Sequence, residues 1–303
     1  MKIFLTGGSG FVGSRWIDLN TDRIHIVALE RKHPVSNKIT SVQGDLLDRN
    51  SLIQATRGCD CIVHNGGATP NRAYLEGSYD ATLIGTKNLI EAGKIHGIKR
   101  FIFVSTDCVT QSEGPYALSK LKAEKDLMAS GLDWTIFRPK TIVGSKAKDL
   151  GRMMKFWSSA RWIPVIGDGT YLKQPVFVDD FCEAITRSIE NKASFGQTIT
   201  VAGADSIPFN DFVSTFANRL GNAHFRLIHF PLPLVYPAAA FAGFLNPKWG
   251  LNRERVEIIT HSKMNDIAHF EKLLGFPPTG FKALVQKTTA DWLKTHGIPS
   301  RNQ

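Results

Sequence analysis

The chain has 303 residues, 43% hydrophobic and 21% charged, the balance of a soluble globular protein with a sizeable core. Its formal charge of +10 comes from scattered basic residues with no dense run and no aromatic-basic motif, so nucleic acid is not expected as a partner, and an anionic small substrate or a membrane surface remains to account for it. Cys59, Cys61, Cys108 and Cys182 have neither zinc-ligand spacing nor the pattern of a secreted disulfide framework, so reduced thiols and a cytoplasmic location are expected.

In chain order, Met1 to Leu5 reads as the start of a strand running into a glycine turn, not as a leader peptide. Ile3–Thr6, Ile24–Leu29, Cys61–His64, Phe101–Ser105 and Trp134–Arg138 read as strands, and 80–96 and 116–130 between them have helical spacing. Alternation of this kind predicts a parallel sheet with helices on both faces. Past Pro139 the pattern loosens. Residues 151–166 read as helical, Gly167-Asp168-Gly169 as a turn, 177–191 as a short strand and a helix, and the chain from Pro208 as mostly helical, ending in 281–296. The apolar stretch 230–245 is too short and too interrupted by proline to span a membrane, and reads as a buried helix or a lid. Phe156, Trp157 and Trp162 read as core. No repeat or low-complexity tract is present.

The first strand is followed directly by Thr6-Gly7-Gly8-Ser9-Gly10-Phe11-Val12-Gly13. Glycines at 7, 10 and 13 allow a tight turn, a close backbone approach and close helix packing, and the helix that follows presents free N–H groups to a pyrophosphate. A dinucleotide is therefore the expected cofactor. At the end of the second strand, Glu30 can accept the adenosine ribose hydroxyls, which favours NAD, whereas Arg31 and Lys32 can hold a 2′-phosphate, which favours NADP; the two readings compete.

Residues 114–120 read Gly-Pro-Tyr-Ala-Leu-Ser-Lys, with the proline placed to open a helix. Tyr116 and Lys120 then lie on one helical face. A phenol alone titrates near about 10, and a fixed ammonium beside it favours the phenolate. The pair can thus serve as an acid/base unit; the alternative is an ordinary amphipathic helix.

Taken together, these segments resemble the extended short-chain dehydrogenase/reductase family, the NAD-dependent epimerase/dehydratase group. The resemblance runs through 6–13, Gly44-Asp45-Leu46, His64-Asn65-Gly66-Gly67-Ala68, Gly85-Thr86-Lys87-Asn88-Leu89, Val104-Ser105-Thr106, Tyr116 with Lys120, Phe137-Arg138-Pro139 and Val176-Phe177-Val178-Asp179-Asp180. It implies an α/β, Rossmann-like doubly wound sheet over 1–165 and a small, mostly helical substrate lobe over 166–303, packed as one unit. It implies NAD(P) as cofactor, with Gly7, Gly10, Phe11, Val12, Gly13, Glu30, Arg31, Asp45, Leu46, Gly66, Gly67, Ala68, Tyr116, Lys120 and Pro139 around it. Thr106, Tyr116 and Lys120 are the implied catalytic set, with Ser105 as the neighbour of Thr106, and Lys120 both lowers the pKa of Tyr116 and holds the nicotinamide ribose. The implied activity is hydride transfer at a secondary alcohol or ketone carbon by an epimerase or oxidoreductase.

Departures from the family pattern bear on the substrate. Cys108 stands where the dehydratases carry a glutamate, which removes a proton carrier, so dehydration ranks low. The loop from Thr106 to Tyr116 is short, Lys140 replaces an asparagine, and Lys173 stands near the position of a phosphate-binding arginine. Asp107 and Lys173 are the candidate substrate contacts. A nucleotide sugar is one expected substrate and a less polar, steroid-like or quinone-like one the other; a non-catalytic redox sensor or assembly subunit is the rival class. The histidines show no metal-binding spacing and no metal is expected; His64 is expected to line the cofactor loop. Asp179 and Asp180 are expected to orient loops or cap the next helix. A shallow membrane contact by 230–245 and a homodimer stay open.

Overall fold

The computed structural model describes residues 1–67, 79–112, 114–245, 253–260 and 264–297. Its first part runs β1 (Lys2–Thr6), α1 (Phe11–Asn20), β2 (His25–Glu30), β3 (Thr40–Gln43), α2 (Arg49–Thr56), β4 (Cys61–His64), α3 (Asp80–Ile95), β5 (Arg100–Val104), α4 (Pro115–Met128) and β6 (Asp133–Pro139). Then follow β7 (Ile142–Val143), α5 (Lys148–Trp157), β8 (Trp162–Ile166), β9 (Leu172–Lys173), β10 (Val176–Phe177), α6 (Val178–Ser188), β11 (Gln197–Val201), β12 (Ile207–Pro208), α7 (Phe209–Arg219) and β13 (Arg226–Phe230). The chain closes with α8 (Leu232–Leu245), α9 (Arg253–Thr260), α10 (Ala268–Leu274) and α11 (Phe281–Thr295).

Seven strands form one parallel sheet in the order β11-β6-β5-β4-β1-β2-β3. Strand order reverses between β1 and β4, the place where such sheets open a crevice at their carboxyl ends. Because side chains alternate along a strand, the sheet buries two cores. Phe4, Ile62, Phe101 and Phe103 face one side, under α2, α3 and α4 with Leu52, Leu89, Ala123 and Leu127. Ile3, Leu5, Val63, Ile102 and Val104 face the other, under α1 and α6. That second core runs without a break into the carboxyl-terminal residues, where Trp157, Phe212, Phe216, Phe281 and Trp292 pack together. Asp179 forms a two-pronged ion pair with Arg15 of α1, its Oδ1 2.6 Å from Nε, and Asp180 accepts from the Thr279 backbone N–H (2.6 Å) and hydroxyl (2.9 Å). The two aspartates therefore orient neighbouring segments, as expected.

Several elements depart from the sequence reading. Of the expected helix over 151–166 only 151–157 is helical, as the end of a helix that begins at Lys148. Trp162–Ile166 is a strand whose alternate residues Ile163 and Val165 are buried, and it pairs in parallel with β13, which lies inside the stretch read as mostly helical. Trp157 is core, but Phe156 and Trp162 are each 47% exposed. The sequence reading also missed β3, α2 and β11. Strand β3 is a polar edge, and α2 starts at Asp48, whose side chain accepts from the N–H groups of Asn50 and Ser51. No helix among the described residues is long and apolar enough to cross a membrane. Helix α8 is not wholly buried: Leu234 is 68% exposed and Phe244 83%.

Phe181 of α6 is fully buried, with its ring edge-on to Phe137 of β6 at 5.9 Å. Phe181→Ala leaves a cavity where the helix meets the sheet. It is expected to cost about 3–5 kcal/mol, read as a lower urea midpoint at unchanged slope.

Candidate active site

The turn after β1 shows why three glycines are needed. Gly7 has φ +74°, and a Cβ there would come within 2.6 Å of the Asn65 carbonyl oxygen. A Cβ on Gly13 would overlap the Gly7 carbonyl, so α1 can sit against the turn only with glycine there. Gly10 caps α1 and donates its N–H to the Gly7 carbonyl at 3.0 Å. The N–H groups of Phe11, Val12 and Gly13 are left without intrahelical acceptors, at the positive end of the helix. A backbone cradle of this kind fits the diphosphate of a dinucleotide.

The crevice between β1 and β4 is braced from below. The Thr6 hydroxyl accepts from the Gly66 N–H at 2.9 Å and lies 2.7 Å from His64 Nδ1. On the other side of the ring the Thr86 hydroxyl donates to the Thr82 carbonyl at 2.6 Å, so it accepts from His64 Nε2–H at 3.1 Å and leaves Nδ1 to accept from Thr6. His64 is thus a neutral, fully buried member of β4, its pKa pushed well down by burial and then by the Lys120 charge. It does not line the cofactor loop; it positions that loop through Thr6. Gly85 leaves room for Leu46, whose carbonyl accepts from Asn88 at 2.9 Å.

At the end of β2, Glu30 accepts from the Val35 N–H (3.3 Å) and from Gln43 (2.8 Å). Arg31 lies 3.7 Å from Asp45, whose carboxylate also accepts from the Leu47 N–H at 3.0 Å. Both candidate cofactor selectors, Glu30 and Arg31, are thus on the same rim. Gly67 (φ +133°) stands beside Lys120, 3.6 Å from its ammonium to the position of a Cβ. Ala68 lies outside the described residues. Pro139 ends β6 and is buried.

The proposed acid/base group sits at the carboxyl end of β5. Pro115 opens α4, and Tyr116 and Lys120 are both buried on its inner face. Thr106 lies close enough to Tyr116 to favour the phenolate, but burial first and then the nearby Cys108 raise the phenol pKa. Lys120 faces β5. Its ammonium donates to the Val104 carbonyl at 2.9 Å and lies 4.7 Å from the centre of the Phe103 ring. The spacing brings the pair to one face, but the lysine turns toward β5 and Gly67, and burial leaves the phenol pKa raised, not lowered. Burial lowers the Lys120 pKa to about 8, against the pull of Glu124.

Ser105 donates to Glu124, which leaves Thr106 as the hydroxyl beside Tyr116. Asp107 pairs with Lys140 at 2.8 Å and accepts from Gln111 and Thr110, so its carboxylate is engaged by its own neighbourhood. Lys173 donates to the Ile259 carbonyl, and burial, then repulsion from Lys140, brings its pKa down to about 8. The sequence reading missed Glu124, which also takes a two-pronged contact from Arg138. The spacing Tyr116, Lys120, Glu124 along one helical face was a signal for it.

A family model described as NAD dependent epimerase/dehydratase family matches residues 3–202. A 2-alkyl-3-oxoalkanoate reductase from Stenotrophomonas maltophilia is 27% identical over 255 residues, covering 73% of this chain and 76% of that protein. An N-acetyl-alpha-D-glucosaminyl-diphospho-ditrans,octacis-undecaprenol 4-epimerase from Escherichia coli O157:H7 is 26% identical over 263 residues, covering 77% and 76%. Among solved structures, a UDP-glucose 4-epimerase from Thermotoga maritima superposes with a TM-score of 0.79 at 17% identity, over 98% of this chain and 99% of that one, which is a likeness of fold.

The glycines are not equivalent under substitution. A Cβ on Gly10 meets only the Gly7 carbonyl, at 3.1 Å, whereas one on Gly13 overlaps the turn. Gly10→Val is therefore expected to fold and lose most of its NAD(P) affinity by calorimetry, while Gly13→Val is expected to lower the melting temperature as well.

Proposed function

The chain belongs to the NAD-dependent epimerase/dehydratase family, and from that premise we propose that Thr106, Tyr116 and Lys120 carry out its hydride-transfer chemistry at a secondary alcohol or ketone carbon. The observation that carries this assignment is the meeting of Tyr116 and Thr106 beside the crevice end of the sheet, with the Lys120 ammonium facing Gly67. A bound nicotinamide supplies the hydride acceptor or donor. Tyr116 gives a proton to the substrate oxygen when a ketone is reduced and takes it back when an alcohol is oxidised. Thr106 hydrogen-bonds the same oxygen. Lys120 holds the nicotinamide ribose from the Gly67 side. With its pKa raised, the phenol is protonated at neutral pH, the state needed for reduction. Gly7, Gly10, Phe11, Val12 and Gly13 hold the diphosphate, Asp45 and Leu46 border the adenine, and Glu30 and Arg31 set the choice between NAD and NADP. Lys173 and Asp107, with Lys140, line the substrate side.

A nucleotide sugar fits the buried Lys173, whose ammonium can meet a diphosphate, and the 4-epimerase likeness supports it. A less polar oxo substrate is favoured by a different feature. Lys173 contacts α9 through Ile259, and α9 packs on the charge-free helix α8. The oxoalkanoate reductase likeness supports that second reading. The two readings separate on the fate of the cofactor: an epimerase ends each turnover with it oxidised as it began, whereas a reductase consumes the reduced form.

Tyr116→Phe tests the assignment. It is expected to lower turnover by at least about a hundredfold, the scale of acid–base catalysis, with NAD(P) affinity nearly unchanged; wild-type turnover in this variant would remove Tyr116 from the chemistry. For the selector, Arg31→Ala is expected to weaken NADPH and spare NADH, and Glu30→Ala to weaken NADH. Two variants with unchanged preference would place the selector elsewhere.

A further inference from the structure

One turn beyond Lys120 on α4 stands a carboxylate with no solvent contact. Glu124 is 0% exposed and Lys120 5%. An unpaired charge at such depth is costly, and the usual response is to lose the charge or to gain a partner. Lys120 has no carboxylate in direct ion-pair contact among the described residues. Its near groups are the Val104 carbonyl and the Phe103 ring of β5, Gly67, and the neutral His64 of β4. The one anion acting on it is Glu124, which raises its pKa against burial. Glu124 in turn accepts from the Ser105 hydroxyl at the end of β5, from Arg138 Nε of β6 at 3.0 Å and from Arg138 Nη2. Three elements thus converge on one buried carboxylate.

We propose that Glu124 is a positioning residue for the cofactor site, and that the Ser105–Glu124–Arg138 network keeps the Lys120 ammonium charged beside Gly67. This rests on the reading of Lys120 as the ribose anchor. Arg138 has the opposite effect to Glu124: by partly neutralising the carboxylate, it limits how far Glu124 favours the lysine charge. The network therefore sets the pH above which the anchor loses its proton. A merely structural staple between α4, β5 and β6 makes a different prediction, since loss of either partner then weakens the fold and moves cofactor binding in the same direction.

The test is NADH and NADPH affinity, by fluorescence titration between mildly acidic and alkaline pH, for the full-length protein and three variants. In the wild type, affinity is expected to fall as pH rises through the Lys120 titration, which lies at about 8. Glu124→Gln keeps the shape and an acceptor for Ser105 but removes the charge and leaves Arg138 unopposed; the falling limb is expected to move to lower pH by on the order of one unit. Arg138→Gln removes the guanidinium charge that offsets the carboxylate but keeps a donor to it, so that with Ser105 also donating Glu124 stays ionised; the limb is expected to move to higher pH. Opposite shifts support the proposal. Limbs that stay in place, or shift in the same direction, overturn it while a loss of affinity in Lys120→Met still upholds the anchor. Wild-type affinity in Lys120→Met overturns both. If Glu124→Gln does not fold, an Arg138→Gln limb at or below the wild-type pH is enough to overturn the proposal.

Discussion

A lysine ammonium kept out of water at the carboxyl end of β5 is the constraint on which the rest of the site depends. Lys120 needs an acceptor and a compensating charge: packing α4 on β5 supplies the Val104 carbonyl at 2.9 Å, and Glu124, one turn further along the same helix, supplies the charge that favours the ammonium. The packing that places Val104 under the ammonium also brings Tyr116 to Thr106 and buries both. The proposed acid/base phenol and its neighbouring hydroxyl are consequences of how α4 is seated. Pro115 at the first helical position and the buried Ala123 and Leu127 farther along fix that seating.

On the other side of the crevice, the same logic runs through neutral groups. Thr86 gives its one proton to the Thr82 carbonyl, so it accepts from His64 Nε2 and leaves Nδ1 to accept from Thr6, which in turn accepts from Gly66. That choice settles the imidazole tautomer and links β1, β4 and α3 under the glycine turn. Burial and the nearby Lys120 both oppose a proton on His64, so the two halves of the site are electrostatically coupled. The glycine turn and the proposed acid/base group are thus held by one sheet, at the carboxyl ends of the neighbouring strands β1, β4 and β5.

The features legible in the sequence are those encoded locally. Gly7, Gly10 and Gly13 could be read because a tight turn and a close helix approach demand glycine at short spacing. Tyr116 and Lys120 could be read because one helical turn separates them. The parallel sheet followed from the alternation of apolar strands and helices. By contrast, Glu124 and Arg138 meet only once α4 lies across β6, and nothing local in Arg138 marks it as a partner. The lowered tyrosine pKa was expected from the spacing and the family resemblance, whereas burial raises it and Lys120 donates to the Val104 carbonyl. Strand β3 escaped because Thr40–Gln43 is a polar edge with no apolar alternation, and β8 because its partner β13 lies far along the chain. His64 looked like a loop residue because it ends a strand, while its ring turns into the core.

The central claim is that this chain moves a hydride between a nicotinamide and a substrate carbon, with Tyr116 as the proton carrier. The most direct measurement is isotopic. The protein is given 4-deuterated reduced cofactor, in each stereochemical form and as NADH and NADPH, with a panel of oxoacids, cyclic ketones and 4-keto nucleotide sugars, and products are read by mass spectrometry and proton NMR. The account predicts that deuterium from one face of the nicotinamide appears on the carbinol carbon of a substrate in that panel, with solvent hydrogen on the adjoining oxygen. Tight cofactor binding with no deuterium transferred to any member of the panel would contradict it and point to a dinucleotide-binding protein without hydride chemistry.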